Sequence, residues 1–268
     1  MAQGSADLSK LKHFLLDLDG TIYLGPGTIP GAPGFVQHLR DTGRRFLFFT
    51  NNSSKEAESY ARKLSAMGIP CTPDEVLTSG EATIRYLLSE TPLRRVYIVG
   101  TPSFEQEARE AGLHLASEDP EAVVLAFDRT LTYAKIERAC LLLRAGLPFF
   151  ATNPDKVCPT DYGYIPDCGA MAALLFESSG RAPTFIGKPN VAMAQMGMQK
   201  LGGSPKTTAM IGDRTYTDMQ MAYNAGITSI LVLSGETRRE DLSAIDRMPD
   251  FVFESVQDLH AALMAQPA

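Results

Sequence analysis

His13-Phe14-Leu15-Leu16-Asp17-Leu18-Asp19-Gly20-Thr21 decides how the rest of the chain is read. Mostly apolar residues run into two carboxylates, a glycine and a threonine, the pattern of a short buried strand that stops abruptly. If strand geometry persists to Asp19, the two aspartates lie two residues apart and face the same way. Like charges at one strand end are tolerated when a cation sits between them, or when one stays protonated. Both conditions suit phosphoryl transfer, in which one carboxylate attacks phosphorus and the other carries a proton to or from the leaving oxygen. A plain strand followed by an Asp-Gly turn has the same local sequence, so the neighbouring segments must decide.

Downstream, Ile22 to Gly31 is rich in Gly and Pro and reads as a turn-rich flap. A helix is predicted over Ala32 to Asp41, with Gly43 placed to end it. Arg45 to Phe49 is a second buried strand, running into Thr50-Asn51-Asn52-Ser53. A helix should start near Ser54, with Ser53 or Ser54 as its cap. Strand, helix, strand, helix is the pattern of a parallel α/β sheet, whose ligands bind beyond the carboxyl ends of the strands. Both polar clusters fall there.

The middle, residues 80–183, repeats the alternation and is long enough for a domain of its own. Strands are expected at Arg95 to Val99, Ala122 to Phe127 and Leu147 to Ala151, the last running into Thr152-Asn153-Pro154-Asp155. Helices are expected at Tyr133 to Arg144 and Ala170 to Glu177, with a loop from Pro159 to Gly169. Then the first pattern returns. Thr184 to Ile186 leads to Gly187-Lys188-Pro189-Asn190, and a helix from Val191 to Leu201 carries methionines read as core filler. Thr208 to Ile211 leads to Gly212-Asp213-Arg214, with Thr217-Asp218 opening the next helix. A strand at Ser229 to Leu233, Phe251 to Phe253 and a helix from Val256 to Met264 close the chain.

Four strand ends therefore carry polar residues, and in one parallel sheet they would converge on one crevice. Asp17 and Asp213 make a hard, oxygen-rich site of the kind Mg²⁺ takes, keeping several waters. Lys188 supplies a fixed positive charge for a phosphoryl group, and Thr50 and Asn51 supply neutral donors to its oxygens.

Composition narrows the classes. The 268 residues are 44% hydrophobic and 21% charged, which sets aside a disordered or fibrous chain. The net charge of −6, with no basic block, disfavours a nucleic acid polymer as partner. Met1 to Lys10 lacks the apolar core of a signal peptide, and no apolar run is long enough to span a membrane. Cys71, Cys140, Cys158 and Cys168 show no CxxC spacing and read as reduced thiols of a cytoplasmic protein. The four histidines form no ligand-like pair.

Asp17-Leu18-Asp19-Gly20-Thr21, Thr50-Asn51-Asn52, Gly187-Lys188-Pro189 and Gly212-Asp213-Arg214 with Thr217-Asp218 resemble, in order, the four motifs of the haloacid-dehalogenase superfamily. The large insertion between the second and third motifs is similar to that of its NagD-like phosphatases, the class IIA capped group. The resemblance implies a Rossmann-like parallel sheet core, residues 1–79 and 184–268, with an inserted α/β cap domain, residues 80–183. It implies Asp17 as nucleophile, forming an aspartyl-phosphate, and Asp19 as general acid and base, its backbone carbonyl also a metal ligand. Asp213 would complete the protein's share of a Mg²⁺ shell. Asp218 would orient Lys188 or a metal-bound water. Thr50, Asn51, Asn52 and Lys188 would hold the phosphate. The cap would act as a lid, with Asn153 and Asp155 in reach of the substrate and setting specificity; Tyr162 and Tyr164 are candidates to stack on a base. The substrate implied is a small phosphorylated metabolite, and caps of this class often pair in homodimers. A phosphomutase would use the same nucleophile and acid, and a non-catalytic phosphate-binding protein could keep the fold; the cap argues against the first and the intact set of motifs against the second.

Overall fold

A computed structural model of the chain describes residues 7–160 and 162–265. Six residues of the polar N-terminal run, Asp161 of the expected loop and residues 266–268 lie outside them. The chain divides into two compact units, one of Met1–Phe49, Ala61–Leu77 and Ala194–Ala268, the other of Thr50–Tyr60 and Thr78–Met193. The second unit thus takes in, besides the middle segment, the polar cluster after the second strand and the Gly187-Lys188-Pro189 motif.

The first unit is built on a six-stranded sheet in the order Phe251–Phe253, Thr228–Val232, Thr208–Gly212, His13–Asp17, Arg45–Thr50, Val76–Thr78. His13–Asp17 sits near its centre and pairs in parallel on both sides, with Leu16 opposite Ile211 and Asp17 opposite Phe49. Phe14, Leu15 and Leu16 are fully buried, as a strand covered on both faces requires. The helix Ala32–Asp41 has the expected bounds, with Pro33 in its first turn and Gly43 at φ +67 beyond its end. Val191–Leu201 and Val256–Met264 are also helices over the expected residues, and Met193 and Met198 are core side chains.

The strand ends at Asp17, two residues short of Asp19. Leu18 carbonyl accepts from Thr21, Ile22 and Tyr23 N–H at 3.2, 2.9 and 3.2 Å, and Gly20 N–H returns to Tyr23 carbonyl at 2.8 Å. That turn wins because it satisfies three backbone donors at once. Asp19 thus lies beyond the strand end: Asp17 is buried, whereas Asp19 is half-buried and accepts from Tyr23 hydroxyl at 3.3 Å.

The second unit has a five-stranded parallel sheet in the order Thr184–Phe185, Phe149–Ala151, Ala122–Leu125, Arg95–Val99, His114–Leu115. Alternate residues of one strand serve two cores. Val123 and Leu125 pack with Leu143, Phe149 and Leu175, whereas Ala122 and Val124 pack with Leu87, Val96 and Phe104. Tyr133–Arg144 is a helix as expected, and Cys168–Ser179 extends the predicted helix at both ends, closed by Gly180 in the left-handed conformation.

Three local expectations are corrected. The helix expected near Ser54 begins at Ala57. Ser53 hydroxyl is held instead by Thr152 hydroxyl at 2.8 Å and by Phe127 N–H at 3.0 Å, while Asn52 Oδ1 takes both Ser54 N–H and its hydroxyl, at 2.9 and 2.7 Å, so a local turn replaces the cap. Residues 159–169 are not simply a loop: Val157–Thr160 and Gly163–Pro166 pair as an antiparallel hairpin, which tolerates its prolines because both strands are edges. Finally, Thr184–Phe185, the strand that delivers Lys188, pairs with Phe149–Ala151 and not with the sheet that carries Asp17 and Asp213. Four strand ends in one sheet is therefore incorrect; three are in one sheet and the fourth is in the other.

Among the described residues no helix is long and apolar enough to cross a membrane, and all four cysteines are free thiols.

Candidate active site

Parallel pairing of His13–Asp17 with Thr208–Gly212 puts Asp17 and Asp213 at neighbouring strand ends. A π-helical turn, Thr215–Met219, then folds Asp218 back onto Gly212, where any side chain at that position would collide with the Asp218 carboxylate. One ligand oxygen from each of Asp17, Asp213 and Asp218 falls within 4.8 Å of the others, and all three residues are buried. Two carboxylates about 4 Å apart repel by about 4 kcal/mol at an effective dielectric of about 20, and three such pairs meet here. Burial first, then the charges of Asp17 and Asp218, push the Asp213 carboxyl well above the ordinary carboxylate range.

Nearby positive charge comes from Arg214, whose Nε lies 2.9 Å from Glu236 Oε2. Burial works against its charge, but Asp17 and Asp213 outweigh burial and drive its pKa upward. Asp213 Oδ1 is moreover buried without a hydrogen-bond partner, a costly condition unless something coordinates it. Hard oxygen donors, converging charge and an orphaned oxygen together fit Mg²⁺. Asp17 and Asp213, the two side chains expected to hold a cation, both belong to this cluster. The carboxylate of Asp218 joins them, a placement not foreseen, whereas the Asp19 carboxylate is directed to Tyr23, whose ring carries Lys63 Nζ 3.4 Å above it.

The second unit arranges the remaining residues. Asn51 Oδ1 accepts Lys188 N–H at 2.8 Å, and Asn51 Nδ2 donates to Lys188 carbonyl at 3.0 Å and to Asp155 Oδ2 at 3.0 Å. The amide thus grips one residue's backbone as a neighbouring strand would, with acceptor and donor side by side. Gly187 is required beside it, because a Cβ there would fall 2.7 Å from Asn51 Oδ1 and 3.0 Å from Ser79 Cβ. Both hydrogens of the Asn51 amide are engaged in this arrangement, which holds Lys188, itself almost fully buried. Thr50 hydroxyl accepts Asn52 N–H at 3.2 Å, which leaves its own proton to donate. Asn52 Oδ1 is engaged in the Ser54 turn.

Asn153 and Asp155 join this network. Asn153 is fully buried, its Nδ2 bonded to Asp167 Oδ1 at 3.2 Å and Asp155 Oδ2 at 3.3 Å, its Oδ1 to Thr152 hydroxyl at 3.0 Å. The pair supports the Asn51–Lys188 grip, with Asn153 buried and Asp155 half-buried. Tyr162 and Tyr164 are strongly exposed on the hairpin.

One segment escaped the sequence reading. Ser234-Gly235-Glu236-Thr237 follows the strand Thr228–Val232 and wraps Asp213: Glu236 N–H donates to Asp213 Oδ2 at 2.6 Å, and Thr237 N–H to Asp213 carbonyl at 3.2 Å. Small polar residues at a strand's carboxyl end were the available signal.

Residues 14–114 match the family model of haloacid dehalogenase-like hydrolases, and residues 185–259 match a second, HAD-hydrolase-like model. The chain is 36% identical over 247 residues to the 5'-nucleotidase YutF of Bacillus subtilis, covering 92% of this chain and 96% of that one. It is 36% identical over 257 residues to an acid sugar phosphatase of Staphylococcus haemolyticus, covering 96% and 97%. The crystal structure of a 4-nitrophenylphosphatase from Thermotoga maritima superposes with a TM-score of 0.92 at 43% identity, over 96% of this chain and 98% of that one.

Proposed function

The chain belongs to the haloacid dehalogenase-like hydrolases and is a phosphomonoester phosphatase; from that premise we propose that it hydrolyses small phosphomonoesters of the nucleotide or sugar phosphate type, with Mg²⁺ as cofactor, through an aspartyl-phosphate on Asp17. The observation that carries the reading is the buried convergence of Asp17, Asp213 and Asp218 with Asp213 Oδ1 unsatisfied.

Asp17, Asp213, Asp218 and the Asp19 carbonyl would hold the cation, which when bound supplies charge neutralisation and polarises a phosphoryl oxygen. An Asp17 carboxylate oxygen attacks phosphorus, and the bond from phosphorus to the ester oxygen breaks. Asp19 gives its proton to the departing alkoxide, then takes one from water, whose oxygen attacks the phosphorus of the aspartyl-phosphate and frees Asp17 with release of phosphate. Lys188 and Thr50 hydroxyl stabilise the charge on the equatorial oxygens. Tyr23 hydroxyl, donating to Asp19 Oδ2, fixes the direction in which that carboxyl points.

The test is phosphate release from a panel of nucleoside monophosphates, sugar phosphates and 4-nitrophenyl phosphate, with Mg²⁺ and with chelator. Release should vanish with chelator and return with added Mg²⁺; release indifferent to chelator would contradict the metal assignment. Phosphate appearing in water, with no phosphorylated isomer formed, separates hydrolysis from a mutase.

Asn51 has its own expected result. Asn51→Ala removes the grip on both backbone groups of Lys188, and a displacement of the lysine by about 1 Å costs on the order of 10²-fold in rate. Steady-state kinetics should show that loss in kcat/KM, with a lowered melting temperature because buried Lys188 backbone groups and Asp155 lose their partner. Unchanged kcat/KM would return Asn51 to a purely structural place.

A further inference from the structure

Asp213 is closely packed and hydrogen-bonded on one oxygen only. Its carboxylate is wedged between two glycines: a Cβ on Gly20 would lie 2.7 Å from Asp213 Cγ, and one on Gly235 would lie 2.7 Å from Asp213 Cβ and closer still to Oδ2. Gly20 is at φ +81, where other residues are strained as well. Oδ2 is taken by Glu236 N–H at 2.6 Å, and Oδ1 has no partner. The segment that achieves this is itself tied at both ends. Ser234 hydroxyl donates to Gly20 carbonyl at 2.7 Å, joining the loop to the turn that follows Asp17. Glu236 carboxylate accepts from Tyr216 hydroxyl at 2.7 Å on one oxygen and forms an ion pair on the other, 2.9 Å from Arg214 Nε. Its side chain is exposed in part and touches no other member of the carboxylate cluster among these bonds, yet it fixes the peptide whose N–H meets Asp213.

We propose that Ser234-Gly235-Glu236-Thr237 is a positioning loop for the cation, which occupies one oxygen of Asp213 and presents the other as a single fixed ligand. The inference rests on the Mg²⁺ reading above. Gly235 provides the close approach, the Glu236 peptide provides the hydrogen bond, and the Glu236 side chain provides the anchor. A carboxylate free to rotate would offer either oxygen or both, and a cation that demands near-ideal octahedral geometry would bind it less well. Outer groups that orient a metal ligand are worth about 10- to 100-fold in metal affinity. Nothing in the loop contacts phosphorus in this scheme, so its residues are positioning residues.

The experiment is calorimetric titration of the chelator-stripped full chain with Mg²⁺ alone, for wild type, Gly235→Ala and Glu236→Ala, together with melting temperatures with chelator and with saturating Mg²⁺. Gly235→Ala should weaken Mg²⁺ binding at least tenfold and Glu236→Ala several-fold. The metal-free melting temperature should stay near that of wild type in Glu236→Ala while the rise produced by Mg²⁺ shrinks. Raising Mg²⁺ should restore kcat toward wild type, since the ligand is misplaced and not removed. Should Gly235→Ala fail to fold, the exposed Glu236 position still decides the matter. Wild-type Mg²⁺ affinity in Glu236→Ala would overturn the positioning role and leave the phosphatase reading intact. Absence of Mg²⁺ binding by the wild type would overturn the metal assignment and this inference with it.

Discussion

Asp17→Asn is expected to reduce phosphate release by about 10⁴-fold or more, the scale on which loss of a catalytic nucleophile is felt. The substitution keeps the shape of a buried side chain at the end of the central strand. It removes the anionic oxygen that would form the bond to phosphorus and one of three converging charges. The second effect has an independent signature: relief of like-charge repulsion should raise the melting temperature of the metal-free protein even as turnover disappears. Phosphate release and thermal melting with chelator measure the two. Activity within tenfold of wild type would remove Asp17 from the role of nucleophile.

Asp19→Asn should cost about 10²- to 10⁴-fold in turnover, the range general acid–base groups supply, while Mg²⁺ binding persists. The separation follows from geometry: the Asp19 side chain is directed to Tyr23 hydroxyl and lies outside the Asp17, Asp213 and Asp218 cluster. An asparagine oxygen can still accept that hydroxyl, so the turn around Leu18 carbonyl has no reason to change. Substrate chemistry sharpens the expectation. 4-Nitrophenolate leaves without a proton, so the variant should release one equivalent in a burst and then stall, because water still needs a base. A sugar phosphate should show no burst. Rapid-mixing kinetics on the two substrates, with Mg²⁺ titration alongside, make the comparison; full steady-state turnover on the sugar phosphate would exclude the acid–base assignment.

Much of the architecture was legible because apolar runs and punctuation agreed. His13–Asp17, Arg45–Thr50 and Thr208–Gly212 are continuous apolar segments that end in polar residues, and such runs are buried on both faces. Helix bounds at Ala32–Asp41, Tyr133–Arg144 and Val256–Met264 follow from period and from Pro, Thr and Ser at their starts. Partnership was less legible. Thr184–Phe185 is two residues long, and nothing in so short a strand specifies which sheet it joins. The residue types at Asn51, Asn153 and Asp155 suited a phosphate or a substrate equally with a structural network; only the pairing Asn51–Lys188 separates the two. Ser53 lost its capping role to a tertiary bond with Thr152, which lies about a hundred residues away in the chain. The Ser234–Thr237 loop acts through backbone N–H groups, which every residue but proline possesses, so its function leaves little trace in side-chain identity.

The placement of Thr50–Tyr60 and of the Lys188 motif within the second unit limits how such a protein can be re-engineered. Residues 80–183 look, as text, like a cassette that could be exchanged to graft a new specificity onto an unchanged catalytic body. Exchange at those junctions would sever Ser53 from Thr152 and Phe127, and Asn51 from Asp155, and would leave Lys188 gripped by an asparagine that had lost its own support. A transplant that respects these bonds must carry Thr50–Tyr60 and the chain through Met193 along with the insert. The unit of inheritance in recombination is then larger than the insertion, and a lineage acquiring a new insert would acquire Lys188 with it.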